Sequence, residues 1–229
     1  MLSIAKLATG QADYYLEQAT GRIDRATSVA SGVEDYYLEG IEPDGVWMGA
    51  GAGRLGAAGQ VSADGLRRIL EGQHPLTAEP LGRHAATRVP GFDVTFSAPK
   101  SVSVLFGIGD DAMRATIRRA HETAVRDAFG YLERQAAVAR RGPAGRISVR
   151  GHGLVAAAFR HRTSRGCDPQ LHTHVLVANL VLADDGRWSA LDSRRLYAYA
   201  KTTGYLYEAR LRAELTRDLG FAWLSLIHI

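Results

Sequence analysis

Cysteine is almost absent: the 229 residues include one, Cys167. A single thiol permits no internal disulfide and no multi-cysteine metal site. A reducing compartment is the natural setting for such a chain. Lysine is nearly as scarce, since only Lys6, Lys100 and Lys201 are lysines among 28 basic residues. No apolar run reaches the length of a membrane span, and the opening stretch, residues 1–7, is also too short for a signal peptide. Membrane insertion is therefore not expected, and a soluble, intracellular protein is. The Gly-x-x-x-x-Gly-Lys-Ser/Thr phosphate loop is missing, so the glycines between Gly49 and Gly59 read as loop glycines. There is no internal repeat and no long low-complexity tract. What remains is ordinary for a globular chain, with 46% hydrophobic and 23% charged residues. The length suits one large domain or two small ones, burying roughly 70% of the unfolded surface.

The net charge of +4 is unevenly spread. Residues 112–165 hold twelve arginines against three acids (Glu122, Asp127 and Glu133), a balance of +9, whereas residues 1–99 sum to −4. Arginine presents a planar fork that matches phosphate oxygens, so this segment points to a polyanion partner. An Arg-rich solvated helix face explains the charge equally well.

Periodicity gives a coarse set of elements. Residues 2–7 read as a strand, and a helix follows through Tyr14 and Tyr15. Residues 40–60 read as a glycine-rich loop around Trp47. A short helix is predicted over 61–73, with Ser62 as N-cap and Leu66, Ile69 and Leu70 as its apolar stripe. Residues 91–96 alternate as a strand, and 97–100 turn into an apolar segment, 102–106. The clearest helix is 111–141, with Met113, Ile117, Ala120, Ala124, Ala128 and Leu132 at spacings of three and four, ended by Gly142-Pro143. Strands are predicted at 146–150, 154–159 and 171–182. A hairpin turn at Asp184-Asp185-Gly186 leads to a return strand, 188–191. Residues 205–219 close the chain as a helix stopped by Gly220. Strands and helices do not alternate regularly, which favours an α+β fold with an antiparallel sheet.

The most informative stretch runs from His161 through Asp168-Pro169-Gln170-Leu171-His172-Thr173-His174. Side chains alternate faces along a strand, so His172 and His174 project to one side and can hold two adjacent corners of a metal ion. His161 falls just past the end of the preceding predicted strand, before a loop closed by Pro169. If the strands pair, it can supply a third nitrogen. Three imidazoles without an obvious fourth ligand describe an open site, as catalysis requires. Ordinary sheet histidines are the alternative; the His-x-His spacing plus a third His favours the metal. His74, His84, His121, His152 and His228 lack such an arrangement and are given no role. Asp93 sits between Phe92 and Val94 in an apolar strand, where a lone carboxylate is costly. It needs a cation, a metal-bound His or a proton to abstract, unless the strand is an edge and the carboxylate faces water.

Two doubled tyrosines, Tyr14-Tyr15 and Tyr36-Tyr37, recur in similar contexts: Ala-Asp-Tyr-Tyr-Leu-Glu and Glu-Asp-Tyr-Tyr-Leu-Glu. A phenol with a pKa of about 10 is a poor nucleophile unaided. Beside a metal and a base it can attack phosphorus. Without a metal site, packing is the ordinary role for such aromatics.

Taken together, Asp93-Val94-Thr95-Phe96-Ser97-Ala98-Pro99-Lys100-Ser101-Val102-Ser103, Phe159-Arg160-His161-Arg162-Thr163-Ser164-Arg165 and Asp168-Pro169-Gln170-Leu171-His172-Thr173-His174 resemble the relaxase domain of the MobF (TrwC-like) conjugative relaxases, in the HUH endonuclease superfamily. The opening Met1-Leu2-Ser3 and the Asp35-Tyr36-Tyr37 region followed by Trp47 also match. The resemblance spans residues 1 to about 220. It implies a central antiparallel sheet flanked by helices, with the three His on central strands.

By the same resemblance, His161, His172 and His174 are the metal ligands, and Tyr14 makes the first cut. Tyr36 serves a second strand transfer, and Tyr15 and Tyr37 are neighbours that substitute or pack. Asp93 is the general base or orients a metal-bound His. The implied activity is nicking of one DNA strand at an origin of transfer through a 5′-phosphotyrosyl bond, and later rejoining. The implied partners are single-stranded or hairpin DNA at the origin of transfer, relaxosome accessory proteins and a coupling protein, in the bacterial cytoplasm. Arg162, Arg165 and Lys100 are the candidates for gripping DNA phosphates. The family is described with Mg²⁺ or Mn²⁺, whereas three imidazoles by ligand preference suit Zn²⁺ or a late transition metal. A rolling-circle replication initiator and a catalytically inert single-stranded-DNA-binding fragment are the rival readings. Residues 224–229, Leu-Ser-Leu-Ile-His-Ile, can be encoded by the transposase mosaic end of sequencing libraries. The expectation is therefore a relaxase domain over 1–223, truncated at its C-terminus and followed by a non-native tail, without the phosphate-loop motif of the helicase domain into which family members normally continue.

Overall fold

The computed structural model describes residues 1–8, 45–82, 89–164 and 168–223. Tyr14, Tyr15, Tyr36, Tyr37, Arg165 and the 224–229 tail lie outside the described residues. Alternating apolar residues give five strands: β1 (Leu2–Lys6), β2 (Val46–Met48), β3 (Gly91–Ser97), β6 (Ala156–Thr163) and β7 (Pro169–Ala178). They form one antiparallel sheet in the order β1-β3-β7-β6-β2. Two small ribbons accompany it, β4 (Val138–Arg141) with β5 (Ile147–Arg150) and β8 (Val181–Leu182) with β9 (Trp188–Ser189). The helices are α1 (Ala50–Arg54), α2 (Ala63–Glu71), α3 (Lys100–Ile108), α4 (Asp111–Ala136) and α5 (Ser193–Leu219). The α+β class and the helix-flanked antiparallel sheet expected from sequence are what is found.

The pleat divides the core. Phe92, Val94 and Phe96 of β3, Ala156 and Ala158 of β6, and Val175 and Val177 of β7 pack with Ile117, Ala124 and Leu132 of α4 and Tyr207, Leu211 and Leu215 of α5. The alternate residues Ala157, Phe159, Leu176 and Ala178 pack with Leu66, Ile69 and Leu70 of α2 and with the α1 region. Thus α4 and α5 cover one face of the sheet, and α1 and α2 cover part of the other. Ser62 caps α2 as expected, its Oγ accepting from Gly65 N at 3.1 Å.

Several boundaries differ from the sequence reading. The glycine-rich stretch is not all loop, because it contains β2 and α1. Its glycines allow close backbone approach: a Cβ on Gly49 would sit 2.2 Å from the Leu154 carbonyl oxygen, and the Gly51 N–H donates to that oxygen at 3.0 Å. Helix α4 stops at Ala136 rather than Arg141, since residues 138–141 pair with 147–150, a distant partner that local helical periodicity does not register. The apolar segment after Pro99 is helix α3. Strand β7 ends at Ala178 because Asn179 leaves the ladder: its Nδ2 donates to Val89 O at 2.9 Å and its Oδ1 accepts from Leu191 N at 3.0 Å. Helix α5 begins at Ser193, well before Tyr205, although its first turns bury only Leu196. Most consequential, β6 runs on to Thr163, so His161 lies within the strand instead of beyond it.

Glu133, in the last turn of α4, fastens three elements. Its Oε1 accepts from Ala50 N at 2.7 Å and from Leu154 N at 2.8 Å, tying the start of α1 and the approach to β6 to the helix. Removing the carboxylate leaves two backbone donors without that acceptor, and bonds to charged groups are the stronger kind. Glu133→Ala is expected to cost about 2 kcal/mol in urea unfolding, and Glu133→Gln, which retains an acceptor oxygen, distinctly less. Equal stability of Glu133→Ala and wild type would refute this role.

Candidate metal centre

Strands β6 and β7 are central, and their register sets His161 directly opposite His172. His174 follows His172 by two residues and so returns to the same side of the sheet. The three rings meet: the centroid separations are 5.2 Å for His161–His172, 5.0 Å for His161–His174 and 4.9 Å for His172–His174. One nitrogen from each ring lies within 4.8 Å of the others. Among the described residues, this is the only group of three or more His, Cys, Asp or Glu side chains able to hold one ion. The predicted triad is therefore brought together in space.

Neighbouring groups fix which nitrogen faces the centre. His172 Nδ1 is 2.8 Å from the Gln170 carbonyl oxygen, which can only accept, so Nδ1 carries the proton and Nε2 keeps its lone pair. His174 Nδ1 is 2.8 Å from Asp93 Oδ2, which accepts its proton in a hydrogen bond. Asp93 is on β3 beside β7, buried at 8% exposure, and so it does not face water as an edge-strand carboxylate would. Thr95, directly across from His174, donates from Oγ1 to Asp93 Oδ1 at 3.0 Å and lies 3.1 Å from His174 Nδ1. A carboxylate behind a ligating imidazole orients the ring and raises its basicity. Nothing local in the sequence singles out Thr95; the register of β3 against β7 brings it to His174.

Burial pushes the His161 pKa down from 6.5 to about 3, helped by the nearby His174 and His172. His172 is lowered as well, again chiefly by burial. Neutral imidazoles are the form that binds metal. Three convergent imidazoles, with those of His161 and His172 held neutral by burial, fit a divalent ion.

The remaining predicted residues are more scattered. Lys100 Nζ donates to the Pro169 carbonyl at 3.1 Å, pinning the start of α3 to the start of β7. Ser103 strengthens that join, its Oγ accepting from Leu171 N at 3.0 Å. Arg162 is half-buried on β6, next to His161. Part of the arginine excess is spent inside the fold. Arg160 Nη1 meets Glu122 Oε1 at 2.7 Å, and Arg141 forms a two-pronged pair with Asp185 at 2.8 and 2.9 Å, holding that carboxyl at about 2.

Two outcomes follow from the geometry. Asp93→Asn should weaken divalent-ion binding by roughly 10–100-fold, measured by calorimetry, because the ring is no longer oriented by a charge. For the metal-free protein, the folded pKa of His161 lies below its unfolded value, so the unfolded chain binds the proton more readily between pH 6.5 and about 3. Its contribution to stability is complete above pH 6.5 and is lost as the pH falls through that window. The drop in urea midpoint from pH 7 to pH 4.5 should therefore be smaller in His161→Asn than in wild type. Identical slopes would contradict the assignment.

Comparison with known proteins places this arrangement. The family model "TrwC relaxase" matches residues 8–226. The chain is 35% identical over 196 residues to the multifunctional conjugation protein TraI of Escherichia coli, and 36% identical over 203 residues to TraI of E. coli strain K12. These alignments cover 85% and 82% of this chain but only 10% and 11% of the relatives, so the chain spans about a tenth of their length. Among solved structures, a metal-bound complex of conjugative relaxase TrwC with oriT DNA superposes with a TM-score of 0.75 at 33% identity, covering 97% of this chain and 71% of that one. TrwC bound to a 27-mer DNA comprising the recognition hairpin and the cleavage site gives 0.72 at 32% identity, covering 97% and 70%. The chain belongs to the TrwC relaxase family, the MobF group that its motifs resemble.

Proposed function

We propose that this chain is the DNA strand transferase domain of a conjugative relaxase. It would nick one strand of plasmid or integrative-element DNA at an origin of transfer and later rejoin it. The observation that carries the reading is the convergence of His161, His172 and His174 on one point, with Asp93 behind His174. The relatives support it: TraI is named a conjugation protein, and TrwC is described in complexes with oriT DNA, both metal-bound and metal-free. Residues 1–223 would make up this domain.

In this reading His161, His172 and His174 hold a divalent cation through one nitrogen each. Such an ion, when bound, acts as a Lewis acid on the nonbridging oxygens of the scissile phosphate. We assign Mg²⁺ or Mn²⁺ by family habit, with Zn²⁺ as the competitor that the three-imidazole donor set favours. Asp93 is occupied by His174 and Thr95, which suits an orienting role better than that of a base. Tyr14 is assigned the first attack: its oxygen bonds to phosphorus, the bond to the 3′ oxygen breaks, and that oxygen takes up a proton. The 5′-phosphate stays on tyrosine. One phosphodiester is exchanged for another, so the strand can be resealed by the reverse step. Tyr36 is assigned the second transfer, with Tyr15 and Tyr37 as neighbours.

Single-stranded or hairpin DNA is the proposed partner, gripped in part by Arg162, Arg165 and Lys100, since phosphate contacts favour arginine forks. Relaxosome accessory proteins, a coupling protein and the bacterial cytoplasm complete the proposal. No helix among the described residues is long and apolar enough to cross a membrane.

Incubation with single-stranded DNA carrying the cognate origin and with Mg²⁺ or Mn²⁺ should give a protein–DNA adduct that survives denaturing electrophoresis. The adduct should disappear with chelator, in Tyr14→Phe and in His172→Ala. Retarded DNA without any adduct would overturn the enzymatic reading in favour of a binding module. An adduct formed by Tyr14→Phe but not by Tyr36→Phe would overturn the choice of nucleophile.

A further inference from the structure

Behind the three histidines, on the face of the sheet covered by helices, lies a second polar cluster for which the proposed reaction has no use. His121 of α4 is fully buried. Its Nε2 is 2.7 Å from Thr173 Oγ1, and its Nδ1 is 2.8 Å from the Tyr207 hydroxyl of α5. Tyr207 is also fully buried, its ring edge-on to His121 at 5.7 Å and tilted against Phe96 at 5.5 Å. Thr173 stands between His172 and His174 in β7, with its side chain on the opposite pleat. Burial pushes His121 down to about 3 and raises the Tyr207 phenol, so both are neutral near pH 7. A neutral imidazole has one donor and one acceptor, and here each has a partner.

Apolar groups would supply the cohesion of these three polar side chains equally well. Replacing hydrogen-bonded partners by apolar groups of equal shape is close to neutral for stability. What the cluster adds is direction. Apolar packing is non-directional, whereas two short hydrogen bonds set the height and tilt of Thr173 relative to α4 and α5. Because His172 and His174 flank Thr173, any shift of its backbone moves both rings with respect to His161.

We infer that His121 is a positioning residue: through Thr173 it fixes the segment of β7 that carries His172 and His174, and Tyr207 in turn holds the His121 ring. This inference rests on the metal-binding reading of the triad. It differs from a packing role in its consequence, since packing affects melting, whereas positioning affects the geometry at the ion.

The test uses Co²⁺ as probe, read by its visible absorption and by calorimetry, alongside thermal melting. The variants are His121→Leu, Thr173→Val and Tyr207→Phe. The control is Leu132→Ala, a core truncation on α4 three helical turns from His121. Wild type should bind one Co²⁺. Thr173→Val and His121→Leu should bind it about tenfold or more weakly, with an altered absorption band, and Tyr207→Phe should lie between them and wild type. His121→Gln, which can still reach Thr173, should recover part of the affinity. Leu132→Ala should melt lower yet bind Co²⁺ like wild type. If His121→Leu does not fold, Thr173→Val and Tyr207→Phe decide, because each keeps its side-chain volume. Lower melting temperatures with unchanged Co²⁺ affinity and spectrum would overturn the inference alone. A wild type that binds no Co²⁺ would remove the metal reading, and this inference with it.

Discussion

The candidate metal centre depends on one register, that of β6 against β7. The pairing that sets His161 opposite His172 also fixes which face of the sheet carries chemistry. Alternation then places His174 on the same face, and brings Thr95 and Asp93 of β3 to it from the other side of β7. A slip of one residue would turn the imidazoles of β7 into the α4–α5 core and expose Thr173 instead. The large apolar residues of the alternate pleat make such a slip prohibitively costly, because Leu171, Val175 and Val177 would leave that core. The site is thus held in place by the burial of residues that never touch it.

Around that register the fold separates labour between faces. Helices α4 and α5 give bulk to one side, while among the described residues α1, α2 and their loops pack on the histidine side. The Asp93-to-Ser103 motif serves both sides. Asp93 and Thr95 orient His174, and a few residues later Ser103 and Lys100 fasten the beginning of β7. A segment that reads in sequence as a signature of chemistry is, in three dimensions, half orientation and half carpentry.

Much of this was legible before the fold was known, and the failures have physical causes. The His172-x-His174 spacing needed only the strand period, which is local. The sequence points to His161 as a partner but not to its place inside a strand, because the apolar alternation fades at Arg160 while the ladder continues to Thr163. Strand β4 is not separable from the preceding helix by local pattern, since Ala136-Ala137-Val138-Ala139 continues a helical pattern and the strand's partner lies beyond a turn. The first turns of α5 are polar enough to read as loop. His121 did leave a local trace, falling on the apolar stripe of α4 four residues after Ile117 and three before Ala124. Its partners come from β7 and α5, so its role was invisible until the elements met. The arginine excess is legible in sequence as charge, but which arginines pair within the chain is not: Arg141 and Arg160 are engaged with Asp185 and Glu122.

The central claim, that three imidazoles share one divalent ion, is tested most directly by X-ray absorption at the metal edge of the Mn²⁺- or Co²⁺-loaded protein. The account predicts one ion per chain with three histidine nitrogens in its first shell, and loss of those scatterers when His161, His172 and His174 are all replaced by alanine. A shell made only of oxygens, or a nitrogen shell that persists in the triple variant, would contradict it.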